Sequence, residues 1–571
     1  MLRLPLILPL CFIVYGTSLS AQIDTVPVSA IIHANNIRAT VWSDGVLFSD
    51  ENGGAFFPDY TEQGPNISPI EAAGLWLGYT DPAGSYWAEI TRGLNEKNGF
   101  NPGLIDPVTR EHIDFNKIWR VTREEIIAHI MDYQDNQIID NPIPAIFAWP
   151  ARGNQFFEQY NDGMTLPSSD FNLAHFDQIS NFNSLYDPDK GDYPLPIRGI
   201  TEYGLPSEIL WFSFHEAINV LGSVAPTEIH CGIYVYDCSE NEILDNTIFV
   251  EYQVVNRGYE TNCGNIGIWA DVAIGCPDDD YIGSIPGRDI VYAYNSDNLD
   301  EACDGYQGYG ENPPALGIRW IEAPYAYIPE ECYHEQFSGG YKTTTISIDQ
   351  SPDALPGKGF PTTTFQILRY LNGLWKDGQP LTWGGQGYQT GLATEHIFPG
   401  DPANPDEWSE LSANQPPGKR TILSSVGPFE LPATPSHAIG VLAFTFVRKP
   451  EKNHLENIAV LPDSLRYLTT YHVDPPYLHP TCTSPVPVAP PQEPATKIKV
   501  FPNPASHTIF VQLEGMQIHR LLLRDALGKI IRQTEAPDTN MAVADIAPGL
   551  YFLNVEMDDG SIQMSKVIIT R

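Results

Sequence analysis

Oxygen-bearing side chains crowd two short stretches of this sequence, and oxygen is what a hard cation such as calcium requires. Asp187, Asp189 and Asp192 surround Gly191, so three carboxylates alternate around a residue that turns easily. The second stretch holds Asp271, Asp278, Asp279 and Asp280, with Asp289, Asn295 and Asp297 a little further on. Adjacent carboxylates repel one another unless water or a cation spreads their charge. The candidate metal ligands are therefore Asp187, Asp189, Asp192, Asp271, Asp279 and Asp280, and calcium is the cofactor they would suit. The first stretch lacks the spacing of a helix-loop-helix calcium loop, which ends in a bidentate Glu. An Asx-rich turn with solvated carboxylates is the plain alternative for the first.

Catalytic patterns fare worse. His215-Glu216-Ala217-Ile218-Asn219 begins like a zinc-protease helix, but Asn219 stands where the second His must be. No G-x-S-x-G elbow or P-loop occurs, and no cysteine sits in a local Cys-protease signature. Among 71 acidic residues, nothing selects the facing pair that glycoside hydrolysis needs. No catalytic residue is assigned, and the sequence leans away from an enzyme. Trp375, Trp383 and Trp408 flank Gly-rich turns such as Gly384-Gly385-Gln386-Gly387. Such rings can stack on sugars, and they serve more commonly as core and turn anchors.

Six cysteines fall within about a hundred residues: Cys231, Cys238, Cys263, Cys276, Cys303 and Cys332. In an exported chain they read as up to three disulfides, with the pairing left open. No two have C-x-x-C spacing, which argues against zinc. Cys482 is left over.

The export expectation comes from the first 21 residues. Arg3 supplies a basic start, Leu4 to Val14 an apolar run too short to span a bilayer, and Ser18, Ser20 and Ala21 small residues for cleavage before Gln22. This is a signal peptide pattern, implying the Sec machinery and signal peptidase as partners. The chain is 42% hydrophobic and 11% aromatic, enough to bury large cores, and its 50 Pro and 46 Gly favour short strands joined by turns. Net charge is −39, yet the residues from Lys497 onward hold 8 basic and 8 acidic groups, so the acidic excess lies upstream. Such a surface repels phosphate backbones and excludes nucleic-acid binding.

Eight prolines between Pro475 and Pro494 mark an extended linker. Beyond it, Ile509 to Leu513, Leu521 to Arg524, Lys529 to Arg532, Tyr551 to Val555 and Ile562 to Ile569 read as strands, the last two forming a hairpin across Asp559-Gly560. Here the order of Val500-Phe501-Pro502-Asn503-Pro504-Ala505, Asp525-Ala526-Leu527-Gly528-Lys529, Ala547-Pro548-Gly549-Leu550-Tyr551 and Lys566-Val567-Ile568 resembles the type A C-terminal sorting domain of the type IX secretion system. The resemblance implies an Ig-like β-sandwich, with Phe501, Pro502, Asn503, Pro504, Gly528, Pro548, Gly549, Tyr551 and Lys566 as its motif residues. It also implies recognition by the outer-membrane translocon, removal by a sorting peptidase, and release from the cell or attachment to surface lipopolysaccharide of a Gram-negative bacterium.

Upstream, Glu228 to Asp237, Thr247 to Asn256 and Ala438 to Val447 read as strands, with Ile248, Val250, Tyr252 and Val254 on one face. One helix is expected after the capping box Thr122-Arg123-Glu124-Glu125. The segments Ala73 to Gly78, Trp149 to Asn154, Asp187 to Pro194, Asp279 to Gly283, Gly308 to Ala315, Phe398 to Pro402 and Gly427 to Phe429 resemble a secreted ectodomain family that precedes such sorting domains and has no known activity. Members of that family carry a second Asp where Ala273 stands and Cys-Asp where Ser284-Ile285 stands, so those ligands are missing here. The expected layout is a signal peptide at 1–21, the N-terminal part of an ectodomain at 22–225, its β-rich, Cys-containing part at 226–474, a linker at 475–496 and the sorting domain at 497–571. The fold class is mainly β, a multi-part β-sandwich with few helices. The expected function is a secreted or cell-surface protein with a binding or structural role; the alternative is an extracellular hydrolase acting on glycan or peptide.

Overall fold

The computed structural model describes residues 26–61, 66–80, 84–93, 99–106, 109, 111–167, 185–196, 205–216, 227–238, 241–257, 261–324, 342–348, 357–431, 437–449, 451–464, 499–512, 518–524, 530–535, 539–557 and 562–570. The chain is mainly β and divides into two compact units, Met1–Ser484 and Pro485–Arg571.

The first unit is built on two antiparallel sheets. The larger, of nine strands, runs Trp119–Thr122, Glu208–Glu216, Thr227–Val235, Thr247–Asn256, His437–Val447, Ala315–Glu322, Ile290–Asn295 and Asp280–Ile285, with Phe100–Pro102 also pairing with Glu208–Glu216. The smaller runs Lys342–Ser347, Arg420–Leu431, Thr261–Val272, Ile70–Thr80 and Tyr86–Ile90. Both sheets thus draw strands from either side of residues 225 and 226.

The period-2 pattern explains their packing. Ile248, Val250, Tyr252 and Val254 lie on one face of their strand and join Phe212, Ile233 and Phe444 in a core shared with Ile268, Trp76 and Leu423 of the smaller sheet. Burying each such side chain contributes about 1.5–3 kcal/mol. The alternate residues are also buried: Trp211, Tyr234 and Phe249 form a second core with Ile126, Phe147 and Trp149 from a helical layer. The larger sheet is therefore the middle of three layers, which is why its strands Glu208–Glu216 and Thr247–Asn256 are buried at every residue.

Two helices show how sequence sets position. Arg123–Asn136 starts at the expected capping box: Thr122 Oγ1 accepts the Glu125 N–H and the Glu125 carboxylate accepts the Thr122 N–H at 2.8 Å. Thr364–Leu371 lies on the outer face of the smaller sheet, where a Cβ at Gly78 would sit 2.7 Å from Leu368 Cδ2.

The second unit is a β-sandwich of its own. Lys499–Phe501, Thr508–Gln512 and Asn540–Ala542 form one sheet; Ile530–Glu535, Ile518–Arg524, Gly549–Met557 and Ile562–Ile569 form the other. Ile509, Val511, Leu521, Leu523, Leu553 and Val567 fill the space between.

Candidate functional site

The turn at Asp187, Asp189 and Asp192 is real; it is held partly by contacts within the chain, while Asp187 Oδ1 is buried without a hydrogen-bond partner. Lys190 Nζ lies 2.9 Å from Asp187, and the Asp187 N–H donates to Asp192 Oδ2 at 2.8 Å. Gly191 sits at φ +87 against the Tyr133 ring, and its absent Cβ would fall 2.6 Å from that ring. Asp189 is exposed.

Asp271 stands apart from Asp279 and Asp280. It lies at the end of Thr261–Val272, 3.1 Å from Lys419 Nζ and 3.3 Å from Thr421 Oγ1. Asp279 and Asp280 instead lie within electrostatic range of Asp300, and Asp279 also of Asp297. Asp280 and Asn295 are directly opposed across the strands Asp280–Ile285 and Ile290–Asn295, and both are 0% exposed. Asp280 Oδ2 accepts the Ile274 N–H at 2.8 Å; Asp300 accepts the Cys276 and Tyr309 N–H groups at 3.0 and 2.5 Å. Burial, followed by the negative charge of Asp300, pushes Asp279 up to about 7; burial drives Asp280 well above the usual carboxylate range and Asp300 to about 6. No salt bridge reaches Asp279, Asp280 or Asp300 among the described residues.

The cysteines frame this cluster. Cys276 and Cys303 form a disulfide with Cα atoms 5.5 Å apart, and Cys238 is also disulfide-bonded. Cys231 corrects the expectation. It is a free, fully buried thiol, because its strand position turns it into the shared core opposite Phe212 and Tyr252. Cys332 and the side chain of Cys263 lie outside the described residues. Among the described residues, Cys276, Asp278 and Cys303 bring ligand atoms within 4.8 Å of one another, but both sulfurs are spent in the disulfide.

A second polar group, unexpected from the sequence, sits on the helical-layer face of the larger sheet. Glu228 Oε1 lies 2.6 Å from both His230 Nε2 and an Arg257 guanidinium nitrogen, and Glu228 Oε2 accepts the Ile105 N–H at 2.7 Å. Burial alone would raise Glu228, but Arg257 and His230 outweigh it and hold the carboxyl at about 2. Ser213 is opposed to His230 in register. One strand end away, His215 lies 2.9 Å from His112 Nδ1, and burial lowers His215 to about 4. His215 is on a strand, so the zinc-helix likeness has no structural basis. Glu216 accepts the Tyr79 hydroxyl at 2.9 Å, and burial raises it to about 7. A carboxylate two residues from a histidine on an otherwise apolar strand was the available signal.

The tryptophans divide as anchors and surface. Trp375 and Trp408 donate their indole N–H to the carbonyls of Gly387 and Gly385 at 2.8 and 3.1 Å, fixing the glycine turn. Trp383 is 47% exposed, with its ring 5.2 Å from that of Trp408.

In the second unit, Phe501, Pro502, Asn503 and Pro504 form an exposed ridge. The Phe501 ring stacks on Phe510 at 5.9 Å. Asn503 Oδ1 accepts the Ile568 N–H at 2.8 Å, and the Ala505 N–H donates to the Ile568 carbonyl at 2.8 Å, so the ridge is tied to the last strand. Tyr551, beside exposed Pro548 and Gly549, donates its hydroxyl to the Ala547 carbonyl at 2.8 Å. Lys566 is opposed to Phe552 in the strand Ile562–Ile569; Gly528 lies outside the described residues.

No curated protein matches the chain. A solved structure titled a polysaccharide lyase aligns over 66% of this chain at 7% identity, with a TM-score of 0.15, and the chain spans 37% of that protein's length. Residues 499–570 match the family model described as the secretion system C-terminal sorting domain, and this C-terminal stretch is a type IX sorting domain, which marks the chain for delivery by that system to the cell surface or the medium.

Proposed function

We propose that this chain is an exported protein whose first unit works outside the cell as a binding or structural β-sandwich. Its route runs through the Sec machinery and signal peptidase into the periplasm, then through the type IX translocon, where a sorting peptidase removes the C-terminal unit. Release or attachment to lipopolysaccharide follows. The observation that carries the reading is how the first unit uses its polar groups. Glu228, His230 and Arg257 bind one another out of water, Asp271 is taken by Lys419, and the sandwich interior is filled with apolar side chains. Groups committed to one another hold a fold; a catalytic site keeps such groups facing a substrate. The exposed Trp383 offers a ring for a glycan partner. A glycan array probed with the mature first unit tests this, and Trp383→Ala should lose at least tenfold in binding while melting unchanged.

One observation favours a hydrolase: Ser213 faces His230, which is bonded to Glu228, so three residue types of acyl-transfer chemistry share a sheet face. Labelling of the purified protein by a serine-reactive fluorophosphonate, abolished in Ser213→Ala, would replace the binding reading with this one.

A further inference from the structure

We infer that the loops around the disulfide Cys276–Cys303 hold a calcium ion, bound by the carboxylates of Asp280 and Asp279 and the side-chain oxygen of Asn295. The case rests on the buried polar atoms of this cluster. Asp280 uses Oδ2 to accept the Ile274 N–H, and its Oδ1 is buried with no donor. Asn295 donates its amide Nδ2 to the Asp297 and Leu299 carbonyls at 3.3 and 3.4 Å, which fixes the amide's orientation and leaves Oδ1 buried and unpartnered. Asp279 Oδ1 is buried and unpartnered too. Asp280 and Asn295 are both 0% exposed and directly opposed. Opposed side chains on one sheet face have Cβ atoms about 4.5–5.5 Å apart, which brings their free oxygens within reach of one ion.

Three acceptor oxygens with no donor among them call for a cation or a proton between them. A buried acceptor left unsatisfied is costly, and here the surrounding charge deepens the cost rather than relieving it. Asp300 adds a third carboxylate, 1% exposed. It is not counted as a direct ligand, because both its oxygens already accept backbone N–H groups. The nearby arginines are engaged elsewhere. Arg420 is bonded to Glu410 at 3.0 Å, and Arg448 donates to the Tyr309 and Asn312 carbonyls at 2.8 and 3.2 Å.

The donor set names the ion. All free atoms are oxygens, and among the described residues the sulfurs beside them are locked in the disulfide, so zinc is disfavoured. Calcium accepts irregular oxygen shells completed by water and backbone carbonyls, whereas magnesium demands a near-ideal octahedron. The disulfide ties the 274–280 loop to the loop after Asp300, and Gly275, at φ +72, lets Asp300 approach where a Cβ would lie 1.8 Å from its Oδ2. Two carboxylates and one amide give the modest affinity, about 10⁻⁴–10⁻³ M, of calcium sites in extracellular modules.

The full-length protein, stripped of metal, tests this by thermal melting and by equilibrium dialysis against calcium chloride. Calcium at ten times its Kd should raise the folded-to-unfolded ratio about elevenfold. Magnesium, and sodium at matched ionic strength, should do less. Asp280→Ala should remove the calcium-specific shift and one bound ion, while Asp187→Asn with Asp189→Asn should leave both in place. Asn295→Asp guards against simple misfolding. The added charge should lower melting without calcium and regain it with calcium, at a tighter Kd. Three outcomes overturn the inference: equal shifts with calcium and magnesium, a calcium shift that survives Asp280→Ala, or an Asp280→Asn protein as stable as the parent in chelator and in calcium alike, which would mean a proton occupies the place of the ion.

Discussion

Glu228 is charged inside a protein, and the chain must compensate that charge locally. Its carboxylate receives the Arg257 guanidinium, His230 and the Ile105 N–H, and these interactions outweigh the burial that opposes ionisation. Removing one member strands the other charge. Arg257→Met should therefore lower stability by about 3–5 kcal/mol in urea unfolding. Glu216 has no such cation among the described residues. Burial raises it to about 7, above its unfolded value near 4.5. The folded state thus holds a proton that the unfolded state has released, so this group's contribution is favourable at low pH and is lost as pH rises from about 4.5 through 7. Burial, with repulsion from Glu216, raises Glu89 to about 8, so it adds to the same slope. His215 works in the opposite sense: lowered to about 4, it favours folding above its unfolded value and loses that contribution as pH falls from about 6.5 through 4. Glu216→Gln should flatten the fall in unfolding free energy between pH 4.5 and 7, with a gain on the order of 3 kcal/mol at pH 8. A slope identical to the parent's would assign the proton elsewhere. Glu228 and Glu89 did not stand out in the sequence, and His215 with Glu216 stood out only as a broken zinc-protease pattern. A lone Glu or His on a strand reads as solvent-facing until a third layer covers it. Asp279 and Asp280 were legible because adjacent acids are conspicuous; Asp300, twenty residues on, was not, since only the fold brings it back to them.

Strands and the helix start were the most readable elements, because their signals are local. The box at Thr122 and Glu125 declares its own hydrogen bonds, and the alternation at Ile248, Val250, Tyr252 and Val254 declares its inner face. What local signals cannot carry is pairing. Asp280–Ile285 and Ala315–Glu322 flank Ile290–Asn295, and the loops they leave are closed by Cys276–Cys303 across 27 residues. Cysteine spacing suggested disulfides but left the pairing open. It also suggested Cys231, which its inward strand position keeps reduced. Closing a loop of that length restricts the unfolded chain by about 3.5 kcal/mol in the entropic account. Cys303→Ser should cost about that much, and Gln or Ala at distant surface sites should not. Alkylation of the unreduced, unfolded parent should modify Cys231 and leave Cys276 and Cys303 unlabelled; label on both of the latter would place the loop closure in other interactions.

Each unit has a core of its own: Phe212, Val250 and Trp76 belong to the first, and Leu521, Leu553 and Val567 to the second. Delivery and folding should therefore separate cleanly. The sorting domain was legible at the level of family because four ordered motifs carry it. The first unit was legible only in class, because its two sheets interleave strands from distant parts of the chain, as where Ile70–Thr80 pairs with Thr261–Val272. Truncation after Thr496 removes the Phe501 to Pro504 ridge and the strand Ile562–Ile569 to which it is tied. It leaves every strand of the larger sheet intact. The truncated protein should fold, keep the parent's melting behaviour and protease resistance, and stop in the periplasm. Whole-cell fractionation with a periplasmic marker measures this directly. A milder change, Asn503→Ala, removes the bond to Ile568 and should reduce secretion while leaving the first unit untouched. Truncated protein in the medium at the parent's level would show that the first unit carries its own export signal. Truncated protein that is degraded would show instead that the first unit needs the second to fold.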